Sequence, residues 1–104
     1  MDKILIVDDE LNMRLVLAAM LKKEGYDVAS AADGREALQI LKSGPVAALI
    51  TDLKMPHIGG MELLDHMNDR HPDIPVIMIT AHGTGATAVE ALKKGALDYI
   101  TKPF

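Results

Sequence analysis

Cysteine is absent from the 104 residues, which excludes disulfides and thiolate metal sites and leaves the redox compartment open. Long apolar runs are missing too. The longest, Leu15 to Leu21, spans seven residues, whereas a membrane helix needs about 18. Met1-Asp2-Lys3 leads straight into an apolar run with no secretory-signal pattern. These absences favour a cytoplasmic location with no membrane partner. Basic clusters stop at Lys22-Lys23 and Lys93-Lys94, and the formal net charge is −4. Direct nucleic-acid binding is therefore not expected. Repeats, low-complexity stretches and linkers are also lacking, so residues 1–104 read as one domain.

What is present is ordinary for a soluble globular domain, with 49% hydrophobic and 25% charged residues. A chain of this size buries roughly 65% of its extended surface, enough for one core. Strand-like and helix-like segments alternate throughout. Gly25, Gly44 and Gly95 each follow lysines, which predicts left-handed C′ glycines with cations in the last helical turn. Pro72 ends a third helix, and Thr87-Ala88-Val89-Glu90 reads as a capping box with Thr84 as a competing cap. The reading is β1 over 3–7, α1 over 11–23, β2 over 26–31, α2 over 34–42, β3 over 47–51, α3 over 61–69, β4 over 75–80, α4 over 87–94 and β5 over 97–101. Such alternation predicts an α/β, flavodoxin-like, doubly wound five-stranded parallel sheet in the order 2-1-3-4-5.

Four of the five strands stop on a residue suited to phosphate chemistry. Ile4-Leu5-Ile6-Val7 runs into Asp8-Asp9, and Ala47 to Thr51 runs into Asp52. Val76 to Ile79 runs into Thr80, and Leu97 to Thr101 runs into Lys102. Only β2, the expected edge strand, ends without such a group, in Ala31-Ala32. Parallel strands share one C-terminal edge, where open α/β sheets bind ligands, so three carboxylates, a hydroxyl and an ammonium should converge. At 4 Å and an effective dielectric of 20, carboxylate pairs repel by about 4 kcal/mol. A hard divalent cation, Mg²⁺ or Mn²⁺, answers that charge with oxygen ligands. Asp52 can act as a nucleophile at neutral pH and form an acyl phosphate. Lys102 and the Thr80 hydroxyl suit the phosphoryl oxygens.

These residues closely resemble the receiver domain of bacterial two-component response regulators. The resemblance is carried by Ile6-Val7-Asp8-Asp9-Glu10, Thr51-Asp52-Leu53-Lys54-Met55-Pro56, Gly59-Gly60-Met61-Glu62-Leu63, Thr80-Ala81 and Lys102-Pro103-Phe104, and it covers essentially the whole chain. It implies that Asp52 is the phosphoacceptor, served by a histidine of a sensor histidine kinase. It implies Asp9, Asp52 and the Lys54 backbone carbonyl as Mg²⁺ ligands, with Asp8 acting through water. Thr80, Ala81, Lys102 and Tyr99 fall at the family's phosphate-binding and switch positions, and the Lys102-Pro103 bond is expected to be cis. The implied mechanism is a population shift: phosphate draws Thr80 inward, Tyr99 follows, and the α4–β5 surface changes to control an attached or partner output, such as transcription. Gly83 and Gly85 make the loop after Thr80 easy to rearrange. The activity implied is self-phosphoryl transfer and autodephosphorylation, not turnover of an external substrate. The segments 81–84 and 88–96 further resemble receivers of the nitrogen-regulation type.

Blander readings exist for each part. Asp8-Asp9 alone reads as a turn and helix cap, Thr80 as a strand former and Lys102 as a solvated lysine; only their combination favours the crevice. Gly83-Thr84-Gly85-Ala86-Thr87-Ala88 fits a dinucleotide fingerprint, but Lys102 stands where an acid is required. His57, His66, His71 and His82 lack metal-ligand spacing, although His82 could tune water access. An aspartate-nucleophile phosphatase would need an acid at position 54, which is Lys54; a receiver-shaped interaction module without phosphate is the remaining alternative. Helix α1 has no polar face over Leu15 to Leu21 and expects burial beyond its sheet side. Receivers usually carry a fifth helix after Lys-Pro-Phe, and this chain ends at Phe104. The expectation is therefore a C-terminally truncated receiver whose open α1 face self-associates or leaves it marginally stable.

Overall fold

In the structure, a computed structural model describing residues 2–81 and 83–102, each of the four apolar runs that lead into Asp8, Asp52, Thr80 and Lys102 becomes a parallel strand. The order is β1 (Lys3–Val7), α1 (Leu11–Lys23), β2 (Asp27–Ala31), α2 (Gly34–Ser43), β3 (Ala48–Thr51), α3 (Gly60–Arg70), β4 (Val76–Thr80), α4 (Gly85–Lys93) and β5 (Asp98–Thr101). The sheet runs β2-β1-β3-β4-β5, all parallel. This is the flavodoxin-like doubly wound order that the alternation predicts.

Successive strand residues face opposite sides of a sheet, and that alternation splits the core in two. Leu5, Val7, Leu49, Val76 and Met78 pack under α2, α3 and α4 with Ala37, Leu41, Leu63, Leu64, Met67 and Ala91. Ile6 and Ile79 pack on the other face with Leu17 of α1, bordered by Ile50, Ile77 and Ile100. Among the described residues α1 buries only Leu17, while Leu15, Val16 and Met20 stay about half exposed. Within this chain only the sheet-facing stripe of α1 is covered, and its other apolar side chains form the open face that the sequence leads one to expect.

Several local expectations are corrected. Helix α4 begins at Gly85, two residues early, because Thr84 and not Thr87 is its cap. Thr84 Oγ1 accepts from the Thr87 amide at 3.2 Å, and Thr87 Oγ1 accepts from the Thr84 amide at 2.8 Å. A threonine at the third position thus does what the glutamate of a usual capping box does. Gly25 and Gly95 do take left-handed φ of 94° and 103°. Gly44 does not; its φ of 174° is extended, so α2 ends without a left-handed glycine. The remaining ends coincide or differ by a single residue, as fraying termini do. The Lys102-Pro103 peptide and His82 lie outside the described residues.

His66 and His71, which lack metal-ligand spacing, bring their rings to 5.8 Å of each other at the end of α3. Burial, then the charges of His71 and Arg70, lower the His66 pKa from its usual value; Asp69 opposes this. A depressed histidine pKa leaves stability intact above the ordinary value of 6.5. Stability then falls as pH drops below it, because the unfolded chain takes up the proton more readily. We expect the urea midpoint to drop more between pH 7.5 and 5.5 in the wild type than in His66→Asn. Equal drops would contradict this.

Candidate functional site

The strand register brings the polar termini together. Val7 pairs with Thr51 across β1 and β3, so Asp8 and Asp52 are the next residues on neighbouring strands. Asp52 N donates to Val7 O at 2.9 Å, and Asp8 N donates to Ala31 O at 3.1 Å. Thr80 pairs with Thr101 across β4 and β5, and Lys102 N then donates to Thr80 O at 2.9 Å. The apolar strands keep Asp8, Asp52 and Thr80 buried at this edge, while Asp9 is exposed.

Lys102 spans the two buried acids. Its Nζ lies 2.7 Å from Asp8 Oδ2 and 3.3 Å from Asp52 Oδ2. Burial alone would push the ammonium pKa down, but the hydrogen bond to Asp8 and the charges of Asp52 and Asp8 prevail and hold it above the usual lysine value. The other Asp8 oxygen accepts from Glu10 N at 2.9 Å, and the other Asp52 oxygen accepts from Leu53 N at 2.6 Å. Asp9 has no hydrogen-bond or ion-pair partner among the described residues. One oxygen from each of Asp8, Asp9 and Asp52 lies within 4.8 Å of the others. Three carboxylates against one ammonium leave net negative charge in a partly dry pocket. That donor set, oxygen only and one member open to solvent, fits a hard divalent cation that keeps several waters. Asp9 and Lys54 also line, with Met55 and Pro56, an open concavity of about 330 Å³ beside the acids. Lys54, whose backbone carbonyl is an expected ligand, therefore lines the same concavity as Asp9.

Two contacts were missed by sequence reasoning. Arg14 Nη1 donates to the Asp8 carbonyl at 2.7 Å and so holds the β1–α1 turn. Side chains on a helix lean toward its N-terminus, so a long cation in the first turn of α1 was a usable signal. Tyr99, half-buried on β5, places its hydroxyl 2.9 Å from Thr87 Oγ1 of α4. No sequence pattern pairs those two residues. Ala81 is exposed directly after Thr80. The dinucleotide reading of Gly83 loses its basis, because the space a β-carbon would occupy there is taken by Tyr99.

A model of the response regulator receiver domain matches residues 4–104. The chain belongs to the response regulator receiver family. An NtrX-like response regulator from Rickettsia bellii is 48% identical over 103 residues, covering 97% of this chain and 22% of the relative. The response regulator protein PilR of Pseudomonas aeruginosa is 43% identical over 101 residues, covering 97% and 23%. The solution structure of the beryllofluoride-activated NtrC4 receiver domain dimer superposes with a TM-score of 0.94 at 39% identity, covering all of this chain and 86% of that one. The nitrogen-regulation sub-type is thereby supported. This receiver spans under a quarter of the length of the curated relatives it matches. Among its described residues no helix is long and apolar enough to cross a membrane.

Proposed function

We propose that Asp52 accepts a phosphoryl group from a phosphohistidine of a sensor kinase, and that the α4–β5 surface passes this state to an output that controls transcription. The observation that carries the reading is the Lys102 amine lying between Asp8 and Asp52, with Asp9 beside them. The Asp52 oxygen not tied to Leu53 attacks phosphorus, the P–N bond breaks, and its electron pair returns to the imidazole nitrogen. Lys102 then exchanges its contact with Asp52 for a phosphoryl oxygen, and the Thr80 hydroxyl at the end of β4 holds another. Asp9, Asp52 and the Lys54 carbonyl would hold Mg²⁺, with Asp8 acting through water. When bound, that ion screens the negative phosphoryl group from the carboxylate that attacks it. Leu53 N, Glu10 N and Arg14 fix the acids beforehand, so little reorganisation accompanies the transfer. The chain's chemistry is then its own phosphorylation and dephosphorylation, and it acts on the cytoplasmic side where its kinase partner presents phosphohistidine.

The test is acetyl phosphate with Mg²⁺, followed by intact-mass and peptide mapping. The expected result is one labile phosphoryl group on Asp52, with at least a hundredfold less labelling in Asp52→Ala, as loss of a nucleophile demands (on the order of 10² or more). Labelling that survives Asp52→Ala removes that residue from its role. No adduct at all favours a phosphate-independent interaction module, and steady turnover of many phosphate esters favours a phosphatase.

A further inference from the structure

Thr80 and Tyr99 meet across a residue that has no side chain. A β-carbon on Gly83 would overlap the Tyr99 hydroxyl, lie 2.8 Å from Cζ of its ring and 3.0 Å from Cγ2 of Thr80. Real β-carbons do not approach other atoms so closely, so the tyrosine occupies its place only because residue 83 is glycine. On its far side the tyrosine hydroxyl reaches Thr87 Oγ1 at 2.9 Å.

Thr87 is the third residue of α4 and half of its capping box. Its hydroxyl oxygen lies 2.8 Å from Thr84 N and 2.9 Å from Thr84 O. A hydroxyl has one proton and two acceptor sites. The proton goes to the Thr84 carbonyl, one lone pair takes the Thr84 amide, and the second is left for the tyrosine, which donates. The Thr84 hydroxyl, at 3.5 Å, is too far to compete. All three capacities of Thr87 are then used.

We propose that Thr87 is the positioning residue of the switch: it holds Tyr99 in the Gly83 slot, so the place of the ring and the order of the first turn of α4 form one equilibrium. Thr80 shares the slot, which gives its movement a direct mechanical route to α4. The adjoining cleft of about 340 Å³, lined by Gly83, Thr84, Gly85, Ala88, Tyr99 and Thr101, offers the ring a second place. The link to signalling rests on the proposed phosphorylation of Asp52 and on the switch role that the family resemblance implies for Thr80 and Tyr99; the latch itself does not.

The experiment reads amide hydrogen exchange at Thr87 and Ala88 by NMR, on the intact chain without a phosphodonor. Both amides donate to Thr84, at 3.2 Å and 3.0 Å, and report the first turn. Tyr99→Phe keeps the capping box and removes only the latch; their exchange should rise about fivefold, the weight of one net hydrogen bond. Thr87→Val should raise it further, Tyr99→Phe added to Thr87→Val should change nothing more, and Thr87→Ser should restore wild-type exchange. Gly83→Ala should match Tyr99→Phe, because the ring loses its slot. Unchanged exchange in Tyr99→Phe, or effects of Tyr99→Phe and Thr87→Val that multiply as independent changes, overturns the latch, since a cap alone would not respond to the tyrosine. Phosphoryl labelling of Asp52 is scored separately, and its failure in the wild type counts against the receiver chemistry and not against the latch.

Discussion

Replacing Lys102 with Met should lower the melting temperature by more than about 12 °C in metal-free buffer, and millimolar Mg²⁺ should return most of that loss. The Lys102 ammonium is the only cation hydrogen-bonded to the Asp8 and Asp52 carboxylates among the described residues, and its side chain is only 10% exposed. Removing one partner of a buried pair leaves the other charges uncompensated, at about 3–5 kcal/mol, and 1 kcal/mol moves the midpoint of a domain this size by roughly 4–8 °C. A divalent cation among Asp8, Asp9 and Asp52 supplies charge of the same sign as the missing amine. The Mg²⁺-induced shift should therefore be larger in Lys102→Met than in the wild type. The pH window follows from the raised lysine pKa. The contribution is complete below the ordinary value of 10.5 and is lost only as pH climbs past it, so the gap between variant and wild type should stay constant from pH 7 to 9. Differential scanning calorimetry at several Mg²⁺ concentrations checks both statements. A variant as stable as wild type, or an equal Mg²⁺ shift in the two, would mean that Lys102 does not balance the acids.

The convergence of Asp8, Asp52, Thr80 and Lys102 was legible because it depends only on strand direction and register. Short apolar runs identify buried parallel strands, and the residue after each run must then lie on one edge. The edge position of β2 followed from the doubly wound order, and Ala31-Ala32, which carries no group for the crevice, agrees with it independently. What was not legible depends on the path of loops. Thr84 and Thr87 both look like caps, and only the backbone geometry decides between them. His57 takes a left-handed φ of 69° in the turn after β3, a conformation that nothing in Met55-Pro56-His57-Ile58 demands. Tyr99 meets Thr87 because α4 returns across β5 at one particular height, which periodicity cannot supply. The open face of α1 was legible as well: Leu15 to Leu21 offers no polar side, and Leu15, Val16 and Met20 stand about half exposed away from the sheet.

Gly60→Ala should be the most damaging single methyl in the molecule, whereas Gly85→Ala should stabilise it. Both glycines open a helix, so propensity alone would rank them alike. Their surroundings differ. A β-carbon on Gly60 would overlap the Asp52 carbonyl oxygen and lie 2.8 Å from Met78 Sδ and 3.0 Å from Leu53 Cα. The methionine could swing aside, but the other two contacts are backbone. Moving them means breaking the 2.8 Å bond from Gly60 N to Leu53 O or shifting the turn that carries Asp52. Overpacking where side chains can adjust costs about 1–3 kcal/mol; here backbone must yield, and a loss of at least about 3 kcal/mol is expected on that scale. Because the displaced carbonyl belongs to Asp52, Mg²⁺ affinity should fall with stability. Gly85 meets nothing within 4 Å, so its alanine only restricts the unfolded chain and should add about 0.4–1 kcal/mol. Urea midpoints with unchanged slopes measure both. Similar losses at the two positions would show that the cost at Gly60 is helical propensity and not the close approach of α3 to the strand that carries the acid.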